Sequence, residues 1–356
     1  MNNTIKNINR MGKHNKRGSI LIAVLIVISS LIVLSLGLTY RVRMEMELAF
    51  NYAKRTQSYY LALGGIERIK AILVQGELNP LMVTQISQFH SSTDEENIFG
   101  QIPEFAANDK MYLSYTLRDE YSYLSLNESN PAGWQNLNIF DEGVYASIVD
   151  WADQDSDINP NGAESDYYQA LEVPYISKNA PFVTLGELQY IKGVTRSLYV
   201  GEDLNRDDFL NDNERDGFSN LPFDNEDSVL DYGLTDIFTV YGDGKININT
   251  AGKKIIGSLP GLDEQVGVLI ENHRAGPDNR IGTEDDVCIT SPQEIVLLEG
   301  PSETQISLLQ DYCCYDSRFF RIFSTAGISN MNKCALMAIV EIKDSELKIL
   351  DIERLL

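Results

Sequence analysis

From Ser19 to Thr39 the chain has 21 residues without a charge. At 1.5 Å per residue this run is long enough to cross the ~30 Å hydrocarbon core of a bilayer as a helix. The helical pattern then continues without proline to about Gln75, but its character changes. Leu48, Tyr52, Tyr59, Leu63, Ile66, Ile69 and Leu73 recur at spacings of three, four and seven, which predicts an amphipathic second half. One helix of about 55 residues, ~80 Å long, is expected: apolar all round near its start and one-sided near its end.

Further along, MYLSYTLRDE from Met111 alternates apolar and polar positions as a strand does. A helical and acidic region follows, from about 127 to 235. Within it Thr184 and Glu187 have the spacing of a capping box, and Gly193 marks the end of that short helix. The stretch 289–302 repeats the design: Ser291 as cap, Pro292 at the first helical position, Glu294 closing the box and Gly300 ending it. Between the two copies, residues 238–241 read as a strand, and Asn249 or Thr250 is expected to cap a helix. LPGLD at 259–263 is a tight turn into another helix that ends near Arg274. This pair resembles a helix-hairpin-helix. After Cys314, FFRIFSTAGISN and KCALMAIVEIKD read as a hairpin, and SELKILDIERLL as a last edge strand or short helix. Strands on both sides of a helical block predict one sheet with a helical insertion.

Charge sharpens this picture. The formal net charge is −23, yet the first 18 residues carry five Lys or Arg and no acid. The remainder holds 24 bases against 52 acids. So acidic a body repels phosphate backbones, which argues against nucleic acid as a partner. The basic segment (Lys6, Arg10, Lys13, Lys16, Arg17) should stay in the cytoplasm, leaving the acidic body on the other side of the membrane. The apolar run is longer than a secretory signal core, and Leu-Thr-Tyr-Arg is a poor cleavage context after it. An anchor is expected.

A basic leader ending in glycine just before a long apolar helix resembles the type IV pilin and pseudopilin families. In those families a prepilin peptidase cuts after the glycine, here Gly18, and the helix is kept. The resemblance implies that Ser19 becomes the first mature residue and is N-methylated. The alternative is a single-pass anchor with no processing. Most members have Glu at the fifth mature position, where this chain has Ala23. In the family that carboxylate neutralises the amine of a neighbouring subunit; a subunit at the tip has no such neighbour above it. Absence of the Glu is thus expected of a tip subunit, or of a protein that enters no filament.

The match becomes closer when YLALGGIE, IVDWADQD, NGAESDYY, NAPFVTLGELQYIKGV and ININTA are taken in order. Together they resemble the large K-type minor pseudopilin of type II secretion systems, from about residue 13 to 345. The resemblance implies an α+β fold. A long N-terminal transmembrane and amphipathic helix carries a pilin-like antiparallel sheet. The sheet in turn carries an inserted all-helical domain of two SAM-like or helix-hairpin-helix-like units. The expected divisions are a leader (1–18), the helix (19–75, membrane part 19–39), the first part of the sheet (76–126) and a first helical unit with acidic loops (127–235). A strand plus second helical unit (236–316) and returning strands (317–356) complete the chain. Implied partners are the I-type and J-type minor pseudopilins, other pseudopilins, the inner-membrane assembly platform and the prepilin peptidase. The implied location is the inner membrane, single pass, with the body in the periplasm. A membrane-anchored calcium-binding adhesion protein of a type IV pilus is the alternative. A helix-hairpin-helix DNA-uptake protein is a third reading, which the charge disfavours.

Metal chemistry is the remaining question. Asp203, Asn205, Asp207, Phe209, Asn211 and Glu214 fall at positions 1, 3, 5, 7, 9 and 12 of an EF-hand loop, although position 6 is Asp208 where that loop has Gly. Seven acids in the 17 residues 201–217 repel one another, and calcium would relieve that. The alternative is a solvated acidic loop. Asp153, Asp155, Asp157, Asn159, Asn161 and Glu164 have the same spacing, and there a structural role in caps and turns is favoured over calcium. Asp278, Glu284, Asp285 and Asp286 form a third, weaker acidic loop. Cys288, Cys313, Cys314 and Cys334 include no CxxC pair and are disulfide candidates if the body is exported. No GxSxG, HExxH, Walker or dinucleotide fingerprint is present, and His14, His90 and His273 stand in unrelated contexts, so no enzyme is expected.

Overall fold

The computed structural model describes residues 16–75, 111–129, 131–137, 139–202, 217, 227–228, 230–279, 281, 285–298, 300–328, 333–343 and 346–354. In chain order the helices are α1 (Lys16–Gln75), α2 (Glu142–Ala152), α3 (Ser165–Gln169), α4 (Arg196–Val200), α5 (Lys253–Gly257), α6 (Glu264–Arg274), α7 (Pro292–Val296) and α8 (Glu303–Tyr312). The strands are β1 (Met111–Asp119), β2 (Leu124–Ser125), β3 (Phe238–Thr239), β4 (Ile246–Asn247), β5 (Cys313–Cys314), β6 (Phe319–Ile328), β7 (Lys333–Lys343) and β8 (Glu346–Arg354). The expected α+β class, with a long apolar N-terminal helix and an antiparallel sheet, is what the structure has.

α1 is one helix of 60 residues, ~90 Å long. From Ile20 to Leu48 its large apolar side chains are exposed. It is the one helix, among the described residues, long and apolar enough to cross a membrane. Its last third is different. Ala62, Ile66, Ile69 and Leu73 are buried, at intervals of four, three and four, so they form one stripe that lies on the sheet. Leu48 and Tyr52, read from the sequence as part of that stripe, are 65% and 75% exposed. The sheet does not reach so far back along the helix.

The sheet has the order β1-β6-β7-β8, with every neighbouring pair antiparallel. Its helix-facing side is set by alternation. Leu113, Tyr115 and Leu117 of β1 join Phe320, Ile322 and Ala326 of β6 and Leu336, Ala338 and Val340 of β7 under α1. The C-terminal segment forms the edge strand β8. β1 and β6 are hydrogen-bonded neighbours, yet all the other helices lie between them in the chain.

That intervening block has its own core. Trp134 meets Phe238 edge-on at 4.8 Å, and Trp151 meets Tyr168 in the same way at 5.2 Å. Two short parallel pairings hold it together: β2 with β3, and β4 with β5. Neither pairing is visible in the sequence, because two-residue strands have no period to read. At α7 the carboxylate of Glu294 accepts from the backbone N–H and hydroxyl of Thr290, and Ser291 makes no side-chain cap to the helix. At the earlier copy Glu187 accepts from the N–H groups of Val183 and Thr184, and Lys178 pairs with it at 2.8 Å.

Candidate functional site

The segment 150–164 folds back so that three carboxylates meet. Asp150 sits near the end of α2, Asp153 caps its C-terminus, and Glu164 is the N-cap of α3. One oxygen of each lies within 4.8 Å of the others. Asp150 and Glu164 are buried. Part of each is held by protein donors: Asn159 donates its backbone N–H to Asp150 Oδ1 at 3.2 Å, and Ser177 donates its hydroxyl to Glu164 Oε2 at 2.9 Å. The other oxygens, Asp150 Oδ2, Asp153 Oδ1 and Glu164 Oε1, are buried with no hydrogen-bond donor among the described residues. No ion pair with Lys or Arg relieves them among the described residues.

Such an arrangement is costly by itself. Two like charges 4 Å apart repel by about 4 kcal/mol even at an effective dielectric of 20. Burial, with the charges of Asp155, Glu164 and Asp150, pushes the Asp153 carboxyl up to about 6. Gly162 completes the cradle: a Cβ there would fall 2.0 Å from Asp150 Oδ2, so only glycine lets the backbone close over that oxygen. Three acceptor-only groups with unpaired inward oxygens are a donor set for a hard divalent cation, and oxygen-only ligation suits calcium.

The sequence reading selected only part of this set. Asp153 and Glu164 stand at the first and last places of the EF-like spacing, and the structure brings them together. The places between do not join them: Asp155 accepts from the backbone of Asp157, and Asn159 serves Asp150 as a donor. Asn161 turns the chain at φ 67°. Asp150 was missed, because it precedes the loop and sits on a helix. Its position three residues before Asp153, one helical turn away, was the signal available. The stronger sequence candidate (Asp203, Asn205, Asp207, Phe209, Asn211, Glu214) lies outside the described residues. In the third acidic loop Asp285 accepts from the backbone N–H of Asp278 at 3.1 Å, and Glu284 lies outside the described residues. No other group of three ligand-bearing side chains comes together among the described residues.

A second cluster ties the sheet to the helical block. Asp119, the last residue of β1, is buried and accepts four hydrogen bonds. Oδ1 takes the N–H of Tyr121 at 2.8 Å. Oδ2 takes the hydroxyls of Thr250 and Ser317 at 2.6 Å each and the amide of Asn247 at 3.0 Å. Burial nonetheless pushes its carboxyl up to about 6, against these four donors. Next to it Glu120 forms a buried ion pair with Arg321 of β6 and accepts the hydroxyl of Thr239. The ring of Tyr123 lies 4.9 Å from the guanidinium. Asn249 exchanges hydrogen bonds with the backbone of Ile289 at 2.8 Å in both directions. Asn249 and Thr250 are therefore not helix caps as expected; α5 starts at Lys253 with Gly252 as its cap. Their side chains link distant segments instead.

Gly18 and Ser19 lie in the first turn of α1, which starts at Lys16. None of the four cysteines forms a disulfide. Cys334 packs in the sheet core under α1, whereas Cys313 packs in the core of the helical block, which keeps them apart. Burial pushes the Cys313 thiol up to about 12 and so keeps it protonated and unreactive.

A long apolar helix seated on an antiparallel sheet, with a helical block between two neighbouring strands, defines an α+β protein with one helix, among the described residues, long and apolar enough to cross a membrane. Residues 135–201, which contain all three clustered carboxylates, match the family model of type II secretion system protein K, first domain. The chain is similar to type II secretion system protein K of Aeromonas hydrophila, at 25% identity over 201 residues, covering 51% of this chain and 60% of that one. For the Klebsiella pneumoniae protein of the same name the values are 25% over 206 residues, 52% and 60%. With the Pectobacterium carotovorum protein it shares 40% over 58 residues, which is 16% of this chain and 18% of that one. The match thus spans 60% of the length of the first two relatives. Among solved structures it is similar to a chain of the GspK-GspI-GspJ complex from enterotoxigenic Escherichia coli, with a TM-score of 0.48 and 14% identity over 84% of this chain and 97% of that one. The K-type resemblance read from the sequence agrees with the family model and with these named relatives.

Proposed function

We propose that this chain is a minor pseudopilin of a type II secretion system, located at the tip of the pseudopilus, where it starts assembly and supports protein export across the outer membrane. The observation that carries this reading is the protein K match over residues 135–201, in a chain whose long N-terminal helix exposes its large apolar side chains from Ile20 to Leu48. The work is mechanical, not catalytic. Prepilin peptidase cuts between Gly18 and Ser19, and Ser19 is methylated. The helix anchors in the inner membrane with the body in the periplasm, then leaves lipid for packing among the helices of other pseudopilins. The I-type and J-type minor pseudopilins are its neighbours, and the assembly platform drives the transfer. Ala23 fits a subunit with no neighbour above it, and the inserted helical block would obstruct further addition there.

In the same reading Asp150, Asp153 and Glu164 hold a calcium ion. The ion supplies the positive charge that these three lack and locks α2 to α3; it takes part in no reaction.

The test is the mass of the N-terminal peptide of the protein taken from membranes of a host with its prepilin peptidase. A chain starting at Ser19, with an added methyl, supports the proposal. A chain that keeps residues 1–18 makes it a plain anchor and removes the tip assignment.

A further inference from the structure

Residues 150–172 hold seven acids and no Lys or Arg. The next lysine, Lys178, pairs with Glu187. Lys192 behaves differently: no carboxylate forms an ion pair with it among the described residues. Its ammonium donates instead to two backbone carbonyl oxygens, that of Gly162 at 3.0 Å and that of Asn161 at 3.2 Å. The same ammonium lies 5.1 Å from the centre of the Tyr167 ring. Its backbone N–H donates to the hydroxyl of Tyr168 at 3.3 Å.

These contacts bracket Glu164. Asn161 and Gly162 precede it in the chain, and Tyr167 and Tyr168 belong to α3, which Glu164 caps. Lys192 therefore holds the chain on both sides of that carboxylate. It also holds the turn that closes over Asp150. Asn161 bends there at φ 67°, and Gly162 lies so near Asp150 Oδ2 that a Cβ would fall 2.0 Å from it. Tyr168 carries the tie on to α2, since its ring meets Trp151, the residue after Asp150, edge-on at 5.2 Å. The backbone that bears the lysine is itself anchored: Leu188 and Ile191 are buried in the core of the helical block.

The choice of carbonyl partners matters. A turn closed over mutually repelling carboxylates tends to open unless something holds it. An ion pair would hold it, but would also use up charge that a bound cation needs. Bonds to carbonyl oxygens fix the turn and leave Asp150 Oδ2, Asp153 Oδ1 and Glu164 Oε1 without a donor among the described residues. Side chains that orient a metal's ligands without touching the metal typically change its affinity about ten- to a hundredfold when removed. The ammonium also repels an incoming cation. Its two effects have opposite signs: removing it tightens binding through charge and weakens binding through lost positioning.

We propose that Lys192 is a positioning residue for the cation held by Asp150, Asp153 and Glu164: it pins the turn before Glu164 and the helix after it, so that the three carboxylates stay converged before the ion arrives. Positioning outweighs repulsion. This inference rests on the calcium reading given above and is independent of the secretion assignment.

The test is a calcium titration of the full chain in uncharged detergent, with a chelating indicator competing for the ion, at a temperature where circular dichroism shows every variant folded. The site at the cluster is the one that Asp153→Asn removes. Lys192→Met keeps the stem and drops the ammonium; it is expected to weaken that site about tenfold. Lys192→Arg keeps the charge and the donors and is expected to stay within about threefold of the native protein. If Lys192→Met does not fold, Lys192→Gln, which is neutral and shorter by one bond, takes its place with an expected weakening of about threefold or more. A site as tight as the native one, or tighter, in the neutral variant overturns the proposal and leaves the calcium reading standing. A Lys192→Arg site as weak as that of the neutral variant also overturns it, because bonds to the carbonyl oxygens are then not what holds the cluster. A native protein with no calcium site that Asp153→Asn removes overturns both.

Discussion

The hydroxyl of Ser324 donates to the carbonyl oxygen of Ala62 at 2.7 Å, a bond from the middle of the sheet to the last third of the long helix. A helix carbonyl can be met in this way only where the two backbones come close. Gly65, one turn on, permits that approach: a Cβ there would fall 2.3 Å from Ser324 Oγ and 3.2 Å from Leu113 Cδ1. Its neighbour Gly64 has nothing within 4 Å of the same position. Gly65→Val should therefore destabilise the head by about 1–3 kcal/mol, while Gly64→Ala should be neutral or stabilise by up to about 1 kcal/mol. Thermal unfolding followed by circular dichroism checks both, and equal effects at the two glycines would refute the argument.

The Glu120–Arg321 pair fixes the helical block to the sheet from inside. Glu120→Leu leaves a buried guanidinium uncompensated and should cost about 3–5 kcal/mol. The double change Glu120→Leu with Arg321→Leu should be less destabilising than the sum of the two single changes. Denaturant unfolding of the four proteins closes that cycle; simple additivity would mean that the pair is not coupled.

Asp119 predicts a particular pH dependence. Its folded carboxyl titrates at about 6, above the ordinary 3.8, so between those values the folded state holds the proton more tightly than the unfolded chain. Stability from this group is then full below about pH 4 and falls as pH rises to about 6, by roughly 3 kcal/mol at most. Every partner that touches the carboxylate (Tyr121, Asn247, Thr250, Ser317) is neutral, so no opposing charge reverses the sign. The loss over that window should be smaller in Asp119→Asn, measured by urea unfolding at a series of pH values. An identical slope in both proteins would count against it.

Calcium should raise the melting temperature of the native protein, by an amount that grows with free calcium, and EDTA should reverse the rise. Asp153→Asn should abolish this increment without lowering the stability of the metal-free protein, since it removes repulsion from the cluster of Asp150, Asp153 and Glu164. Differential scanning calorimetry with and without calcium separates the two effects. A variant that keeps the full calcium increment would exclude Asp153 as a ligand.

Much of this architecture is local, and local features were legible in the sequence. The stripe at Ile66, Ile69 and Leu73 and the alternation in β1 depend on spacing alone. The joint was not legible. Asn249 and Thr250 stand where helix caps stand, and the same side-chain oxygen and hydroxyl that would cap a helix bind Ile289 and Asp119 instead. Nothing in a linear reading separates a local partner from one 40 or 131 residues away. The acidic cluster was half legible for a similar reason. Loop spacing found Asp153 and Glu164, but the third carboxylate, Asp150, comes from a helix turn that the loop motif does not include.

The order of strands has a consequence for how the head is made. β1 must wait for β6, and the residues that join them, Glu120 and Arg321, are 201 positions apart. Pairings so distant in sequence are slow to close, because the chain between them must first be compacted. The helical block has a separate core and can collapse by itself. Folding it draws the ends of β1 and β6 together and shortens the search. The insertion then acts as a clasp for the frame that carries it: until it closes, the apolar stripe at the end of α1 has no sheet to lie on.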